Sequence, residues 1–222
     1  MSVSTVQSIL ERGLDTLEID RDTEFTSKLL EYLVLLQHWN RAYNLTAVRD
    51  PEQMVVKHLL DSLAVAQYLP SQAQRLIDVG TGAGLPGIPL ALLNPQQHYD
   101  LLDSNGKKTR FLFQVKTALG LANMAVLHAR VESWAPPQAY DVVLSRAFAS
   151  LTDMVNGCSH LCSERGCFLA MKGQRPEDEL VAVAAMCEVR HVYQLQVPGL
   201  EEERHLVELG PLSEGSQGNQ FG

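Results

Sequence analysis

A chain of 222 residues, 45% hydrophobic and 20% charged, holds enough apolar material for one α/β domain with an appendage, and its composition is that of an ordinary soluble globular protein. Its formal net charge of −8 excludes an unselective polyanion binder, because affinity for nucleic acid comes largely from neutralised phosphates. An RNA ligand would need an uneven charge distribution with a local basic face.

No secretory signal is visible, and no apolar run reaches the about eighteen residues of a membrane span, so a cytoplasmic protein is expected. Cys158, Cys162, Cys167 and Cys187 form no CxxC pair, which points to reduced, buried small side chains and no metal site.

Residues 4–18 set Val6, Ile9, Leu10, Gly13 and Leu17 on one helical face. Residues 24–39 do the same with Phe25, Leu29, Leu33, Leu36 and Trp39, after a cap at Asp22 or Thr23. A polar stretch, Asn40 to Thr46, separates them from a third helix that Asp50-Pro51 opens and that runs to about Tyr68. An N-terminal helical section is therefore expected over residues 1–69.

Beyond the polar connector the period changes. Strand-like runs at 75–80, 98–103, 124–129, 140–145 and 166–172 alternate with helical ones at 86–93, 106–119, 150–162 and 176–186. That alternation implies a mostly parallel sheet with helices on both faces, in a main domain spanning 75–210. The runs at 187–197 and 204–210 read as an antiparallel hairpin at the sheet edge. The tail at 211–222, rich in Gly, Ser and Gln, reads as flexible.

The most informative stretch is Arg75 to Gly87, where an apolar run carrying Asp78 breaks into Gly80, Gly82, Gly84 and Gly87. A glycine-rich turn between a strand and a helix is where doubly wound proteins bind nucleotide-like ligands. The pattern Gly82-x-Gly84-x-x-Gly87 fits a dinucleotide fingerprint. Read from Asp78, it fits the first motif of methyltransferases that use S-adenosylmethionine. A carboxylate repels a pyrophosphate and attracts the ammonium of a methionine moiety, directly or through water, which tilts the choice toward the second. Asp103, at the end of the next strand, can accept hydrogen bonds from ribose hydroxyls; capping the helix after Ser104-Asn105-Gly106 is its alternative.

Longer motifs then appear in order. Leu76 to Ala91, Leu102 to Leu112, Arg130-Val131-Glu132, Ser145-Arg146-Ala147 and Ala170 to Gly173 follow one another. Upstream stand Trp39-Asn40, Tyr43 to Thr46 and His58 to Leu63. Over roughly residues 25–210 the chain resembles the bacterial small-subunit (16S) ribosomal RNA guanine-N7 methyltransferases, also called glucose-inhibited division protein B. The resemblance implies a Rossmann-like fold, α/β with a seven-stranded mostly parallel sheet, and N-terminal helices packed against it. It implies S-adenosylmethionine as cofactor and 16S ribosomal RNA or the small ribosomal subunit as partner. Carried over by position, Gly80 and Leu85 would contact the cofactor from the loop, Val131 and Glu132 would line its adenine, and Arg146 would meet its carboxylate. Without the resemblance, Arg146 is a surface arginine paired with Glu132 or another acid. Ala83 stands where many members have proline, and Asn105 where an apolar or small residue is usual.

Guanine N7 carries an in-plane lone pair and no proton, so methylation there needs no general base, and no catalytic residue is assigned. His58, Asp61 and Ser62 share one side of a helix and read mainly as packing residues, with a role in shaping the substrate cleft as the alternative. Lys107, Lys108, Arg110 and Lys172 are the candidate RNA contacts, with Lys116, Arg41, Arg49, Lys57 and Arg175 extending the basic face. The protein is expected to act as a monomer. Competing functions are an NAD-dependent oxidoreductase, a non-catalytic RNA-binding module, and a methyltransferase acting on a small molecule or protein.

Overall fold

The computed structural model describes residues 3–212; most of the tail expected to be flexible, from residue 213 on, lies outside the described residues. Helix α1 spans Val3–Thr16 and α2 Thr23–Tyr43, the latter capped by Asp22, whose carboxylate accepts from the Phe25 N–H at 2.7 Å. Helix α2 runs one turn further than its apolar pattern suggests. Asn40, expected in a loop, is buried, and its side chain accepts from the Thr46 N–H at 2.9 Å, folding the chain back on itself. Asn44, with φ 49°, then ends the helix.

The third helical rod is not regular. It opens as α3 (Pro51–Met54), widens into a π-helical segment at Val55–Leu60, and closes as α4 (Asp61–Leu63) before a 3-10 turn at Ala66–Tyr68. A π segment carries an extra residue per turn and shifts the helical phase, a device frequent at functional sites. Here Val55, Leu59 and Leu60 stay in the core while His58 and Asp61 reach a surface cleft.

The remaining chain supplies β1 (Arg75–Val79), α5 (Gly87–Leu93), β2 (His98–Asp103), α6 (Gly106–Leu119), β3 (Met124–His128), β4 (Tyr140–Ser145), α7 (Leu151–Cys158), β5 (Cys162–Lys172), α8 (Glu177–Val183), β6 (Glu188–Gln194) and β7 (His205–Gly210). They form one seven-stranded sheet in the order β3-β2-β1-β4-β5-β7-β6. All pairings are parallel except those of β7, which is antiparallel to both β5 and β6. The hairpin is therefore inserted with its second strand inward, and β6 forms the edge.

Successive strand residues point to opposite faces, so pairs such as Leu76/Ile77, Leu101/Leu102 and Val142/Val143 divide between two cores. One core joins Leu76, Leu101 and Val142 to α5 and α6 and also to Leu10, Leu29, Tyr32 and Leu36 of the N-terminal helices. The other packs Ile77, Leu102 and Val143 against Leu151, Met154 and Val183 of α7 and α8. Strand order reverses between β1 and β4, which opens a crevice at the carboxyl ends of the strands.

Cys158, Cys167 and Cys187 are buried and Cys162 is half-buried, all as free thiols. Burial pushes the thiols of Cys158, Cys162 and Cys167 up to about 12, so they remain protonated.

Candidate functional site

After β1 the chain turns through Gly80 (φ +68°) and Gly82 (φ +64°), a left-handed backbone that residues bearing a Cβ rarely adopt. A Cβ at Gly80 would also stand 2.7 Å from the Ala147 methyl. At Gly82 a Cβ would meet only the Gly80 carbonyl oxygen and Lys108 Nζ, both at 3.9 Å, so the space there would hold a side chain and it is the backbone angle that calls for glycine.

The loop's own donors are turned inward. The N–H groups of Gly80 and Thr81 bond the Leu102 carbonyl at 2.9 and 3.2 Å, and that of Gly82 bonds Asp103 Oδ2 at 2.9 Å. Those of Gly84 and Leu85 both go to the Thr81 carbonyl. Asp78 Oδ2 accepts from Thr81 Oγ1 at 2.6 Å and from the Gly87 N–H at 2.9 Å, so a carboxylate already holds the N-terminus of α5. A pyrophosphate cradled by this loop would need donors that are taken. The dinucleotide alternative loses its physical basis.

Asp78 is 1% exposed and lies beneath the loop, where Oδ2 takes both loop donors while Oδ1 has no hydrogen-bond partner among the described residues. Burial pushes it up to about 6, against the pull of the Thr81 and Gly87 hydrogen bonds.

Three clefts follow one another across the strand ends. The first, about 310 Å³, is lined by Gly80, Asp103, Lys108, Val131, Glu132 and Phe148. The second, about 130 Å³, sits over the loop between Leu45, Thr46, Gly82, Leu85 and Arg146. The third, about 310 Å³, lies between His58, Asp61, Arg146, Lys172 and Arg204. Gly80 and Ala147 border both the first and the second, and Arg146 borders both the second and the third. A larger cavity of about 390 Å³ lies elsewhere, near Asp22, Lys28 and Asn123, and none of the sequence-derived site residues lines it.

The six residues expected at a cofactor, Gly80, Leu85, Asp103, Val131, Glu132 and Arg146, thus line the first two clefts. Asp103 is almost fully buried; Oδ1 accepts from the Asn105 N–H at 2.8 Å, and Oδ2 faces Lys108 Nζ at 3.6 Å as well as Gly82. It does not cap α6. Asn105 does, accepting from the Lys107 N–H at 2.9 Å.

The four lysine and arginine candidates separate. Lys107 and Arg110 are exposed on α6, Lys108 turns into the first cleft, and Lys172 lines the third. Lys172 Nζ is held by Glu179 at 2.9 Å and by the Ala149 carbonyl at 3.3 Å.

Arg146 pairs with an acid other than Glu132. Its Nη1 meets Asp61 Oδ2 at 3.1 Å, and Asp61 Oδ1 accepts from Arg204 Nε at 3.1 Å. Burial raises the Asp61 carboxyl above its ordinary value, and the two arginines oppose that shift. Beside it, Thr46 Oγ1 lies 2.8 Å from His58 Nε2 and accepts from the Val48 N–H at 3.1 Å. Burial pushes His58 down to about 4, so the ring is neutral near pH 7 and shares one hydrogen bond with the threonine hydroxyl through Nε2.

Sequence reasoning missed Leu45, Thr46, Ala147, Phe148 and Arg204 as cleft residues. For Thr46 a signal existed, since the polar run between two amphipathic helices had no packing role of its own. Arg204, in an acidic turn, carried none. Among the described residues, no group of three or more His, Cys, Asp or Glu side chains could hold a metal ion, and no helix is long and apolar enough to cross a membrane.

Solved structures share this architecture. The N-methyltransferase NodS from Bradyrhizobium japonicum WM9, crystallised with S-adenosyl-L-homocysteine, matches with a TM-score of 0.57 at 12% identity, over 81% of this chain and 99% of that one. A SAM-dependent methyltransferase from Aquifex aeolicus matches with a TM-score of 0.57 at 16% identity, over 75% and 96%. The fold, with its glycine loop at the strand switch point, is that of the S-adenosylmethionine-dependent methyltransferases. The sequence places the chain more narrowly. Residues 25–207 match the family described as rRNA small subunit methyltransferase G. The ribosomal RNA small subunit methyltransferase G of Hydrogenovibrio crunogenus is 51% identical over 200 residues, covering 90% of this chain and 92% of the relative. That of Escherichia coli O1:K1 / APEC is 53% identical over 181 residues, covering 82% and 86%. The chain belongs to this ribosomal RNA methyltransferase family.

Proposed function

We propose that this chain transfers a methyl group from S-adenosylmethionine to N7 of a guanine in small-subunit ribosomal RNA. The observation that carries the reading is the unbroken course of the three clefts, with Arg146 at the junction of the last two.

The residues present suit the cofactor. Asp103 has lone pairs left for vicinal hydroxyls beside the bare backbone of Gly82. Backbone groups at Val131 and Glu132 can bond an adenine edge without any special side chain. Arg146, beyond the loop, offers a guanidinium to a carboxylate. When bound, the sulfonium supplies an activated methyl group. The protein's contribution is then to hold the acceptor nitrogen in line with it at roughly 3 Å, an effect of proximity and orientation.

Purine N7 gains positive charge as it is methylated, and a mildly negative pocket would offset it. No base is required, which agrees with His58 being neutral, buried and engaged with Thr46. The third cleft is the natural acceptor side, with Lys172, shared with Glu179, and Arg204, paired with Asp61, as its cations toward phosphate oxygens. Lys107 and Arg110 on α6 would extend the RNA track. The acidic chain would work as a monomer in the cytoplasm and would depend on RNA shape to reach its substrate.

A labelled-methyl assay on naked 16S RNA, small subunits and whole ribosomes tests this, with the labelled base released and identified. Label recovered as 7-methylguanine supports the reading. Label on a protein, a small molecule or another base position refutes the acceptor.

A further inference from the structure

We propose that Asp61 and Arg204 are positioning residues that let Arg146 exchange partners, leaving Asp61 for the carboxylate of the methyl donor while Arg204 keeps Asp61 compensated. The inference rests on the reading of Arg146 as the donor's carboxylate partner and goes beyond it to residues outside the loop and the first two clefts.

Asp61 is 3% exposed, so a lone negative charge there is strongly disfavoured. Its two oxygens are divided: Oδ2 takes Arg146 and Oδ1 takes Arg204, each at 3.1 Å. The arginines therefore do not compete for one lone pair, and either can leave without disturbing the other's bond. Their surroundings differ. Arg146 borders two clefts, and its side chain is 30% exposed, so it can turn from the third cleft toward the second. Arg204 is anchored by a second bond, from Nη1 to the Glu203 carbonyl at 2.8 Å.

The other charged groups facing this cleft are committed elsewhere. Lys172 pairs with Glu179, Lys57 pairs with Glu202, and His58 is neutral. Without Arg204, Asp61 would keep Arg146 as its one ion-pair partner among the described residues, and a donor carboxylate would have to compete for it. With Arg204 in place the exchange exposes no unpaired charge. A residue that reaches only the third cleft thereby sets affinity in the second.

The test is calorimetric titration of S-adenosylhomocysteine, which retains the carboxylate, into the full-length protein and its variants. Arg146→Ala and Arg204→Ala should each bind about tenfold more weakly, and the Asp61→Asn/Arg204→Ala double variant should return to within about twofold of wild type. Methylthioadenosine, which lacks the amino-acid moiety, should bind wild type and Arg204→Ala alike. Lys57→Ala, which removes a charge from the same cleft without touching Asp61, should leave S-adenosylhomocysteine affinity within about twofold. Arg204→Ala at wild-type affinity, or a loss that Asp61→Asn fails to rescue, would overturn the exchange while leaving Arg146 as a carboxylate partner. An equal loss in Lys57→Ala would replace the exchange with a general field effect. Wild-type affinity in Arg146→Ala would remove the carboxylate reading and the exchange with it. Should Arg204→Ala not fold, Asp61→Asn alone decides: binding at or above wild-type affinity supports the exchange, and a tenfold loss refutes it.

Discussion

The Tyr32 hydroxyl donates to the Ala83 carbonyl at 2.8 Å, so the second helix of the chain holds the glycine loop from below across 51 residues of sequence. Tyr32 is fully buried, and burial raises its hydroxyl far above the usual tyrosine range, which keeps it a donor at every working pH. Tyr32→Phe would leave the loop carbonyl without this partner. We expect a loss of about 1–3 kcal/mol in stability, read from chemical denaturation, together with weaker cofactor binding. Unchanged stability and affinity would mean that the loop holds its shape without this bond.

Asp78 and His58 carry opposite pH signatures. The folded protein raises Asp78 from 3.8 to about 6, so it binds that proton more tightly than the unfolded chain does, and stability falls as pH rises between those values. Asp78→Asn should abolish that fall, a change of about 3 kcal/mol across the window. His58 is lowered from 6.5 to about 4, so the unfolded chain binds its proton more tightly, and stability rises with pH over nearly the same range. Urea unfolding at pH 4.5 and 6 should show Asp78→Asn gaining stability with pH relative to wild type, and His58→Gln losing it. Parallel pH profiles for all three proteins would contradict the buried, ionisable assignment.

Asp103→Ala should weaken S-adenosylhomocysteine binding by about tenfold or more, because it removes both a hydroxyl acceptor and the partner of the Gly82 N–H. Helix α6 should survive, since its cap is Asn105. Calorimetry alongside circular dichroism separates the two, and loss of helix content would make Asp103 a structural residue first.

Lys172→Ala should lower kcat/KM for the RNA substrate about tenfold while leaving cofactor affinity within about twofold, and should reduce the salt dependence of RNA binding by about one phosphate contact. Lys107→Ala and Arg110→Ala should act in the same direction more weakly, being exposed and far from the clefts' junction. Filter binding at several salt concentrations measures this, and an unchanged slope would take Lys172 out of the RNA path.

What the sequence disclosed follows local rules. The alternation of Leu76/Ile77 and Val142/Val143, the Asp22 and Asp50 caps, and the glycines of the loop are all short-range signals, and they gave the architecture. Gly80, Leu85, Val131, Glu132 and Arg146 came instead from the family resemblance, and the structure brings them to the first two clefts. The sequence did not disclose the π-helical widening at 55–60, because it goes with tertiary packing that keeps Val55 and Leu59 in the core while His58 and Asp61, themselves buried, line the third cleft. Nor did it disclose the partner of Arg146. That contact joins residues 85 positions apart, and the second contact, from Arg204 to Asp61, spans 143. For Asp78 the charge was visible in the sequence, but the two loop donors that fix its Oδ2 come from the loop's folded path.

One feature of the sheet sets the order in which the site can be completed. In a uniformly parallel sheet, a residue just before a strand lies at the opposite end from the ligand crevice. Because β7 runs against its neighbours, Arg204, immediately ahead of it, is delivered to the crevice instead. The glycine loop, the helical section and Arg146 all leave the ribosome earlier. A nascent chain that has not yet emerged as far as residue 204 lacks the second of the two arginines that pair with Asp61 in the folded structure. Reversing a single strand thus ties the finished state of the site to the finished state of the chain.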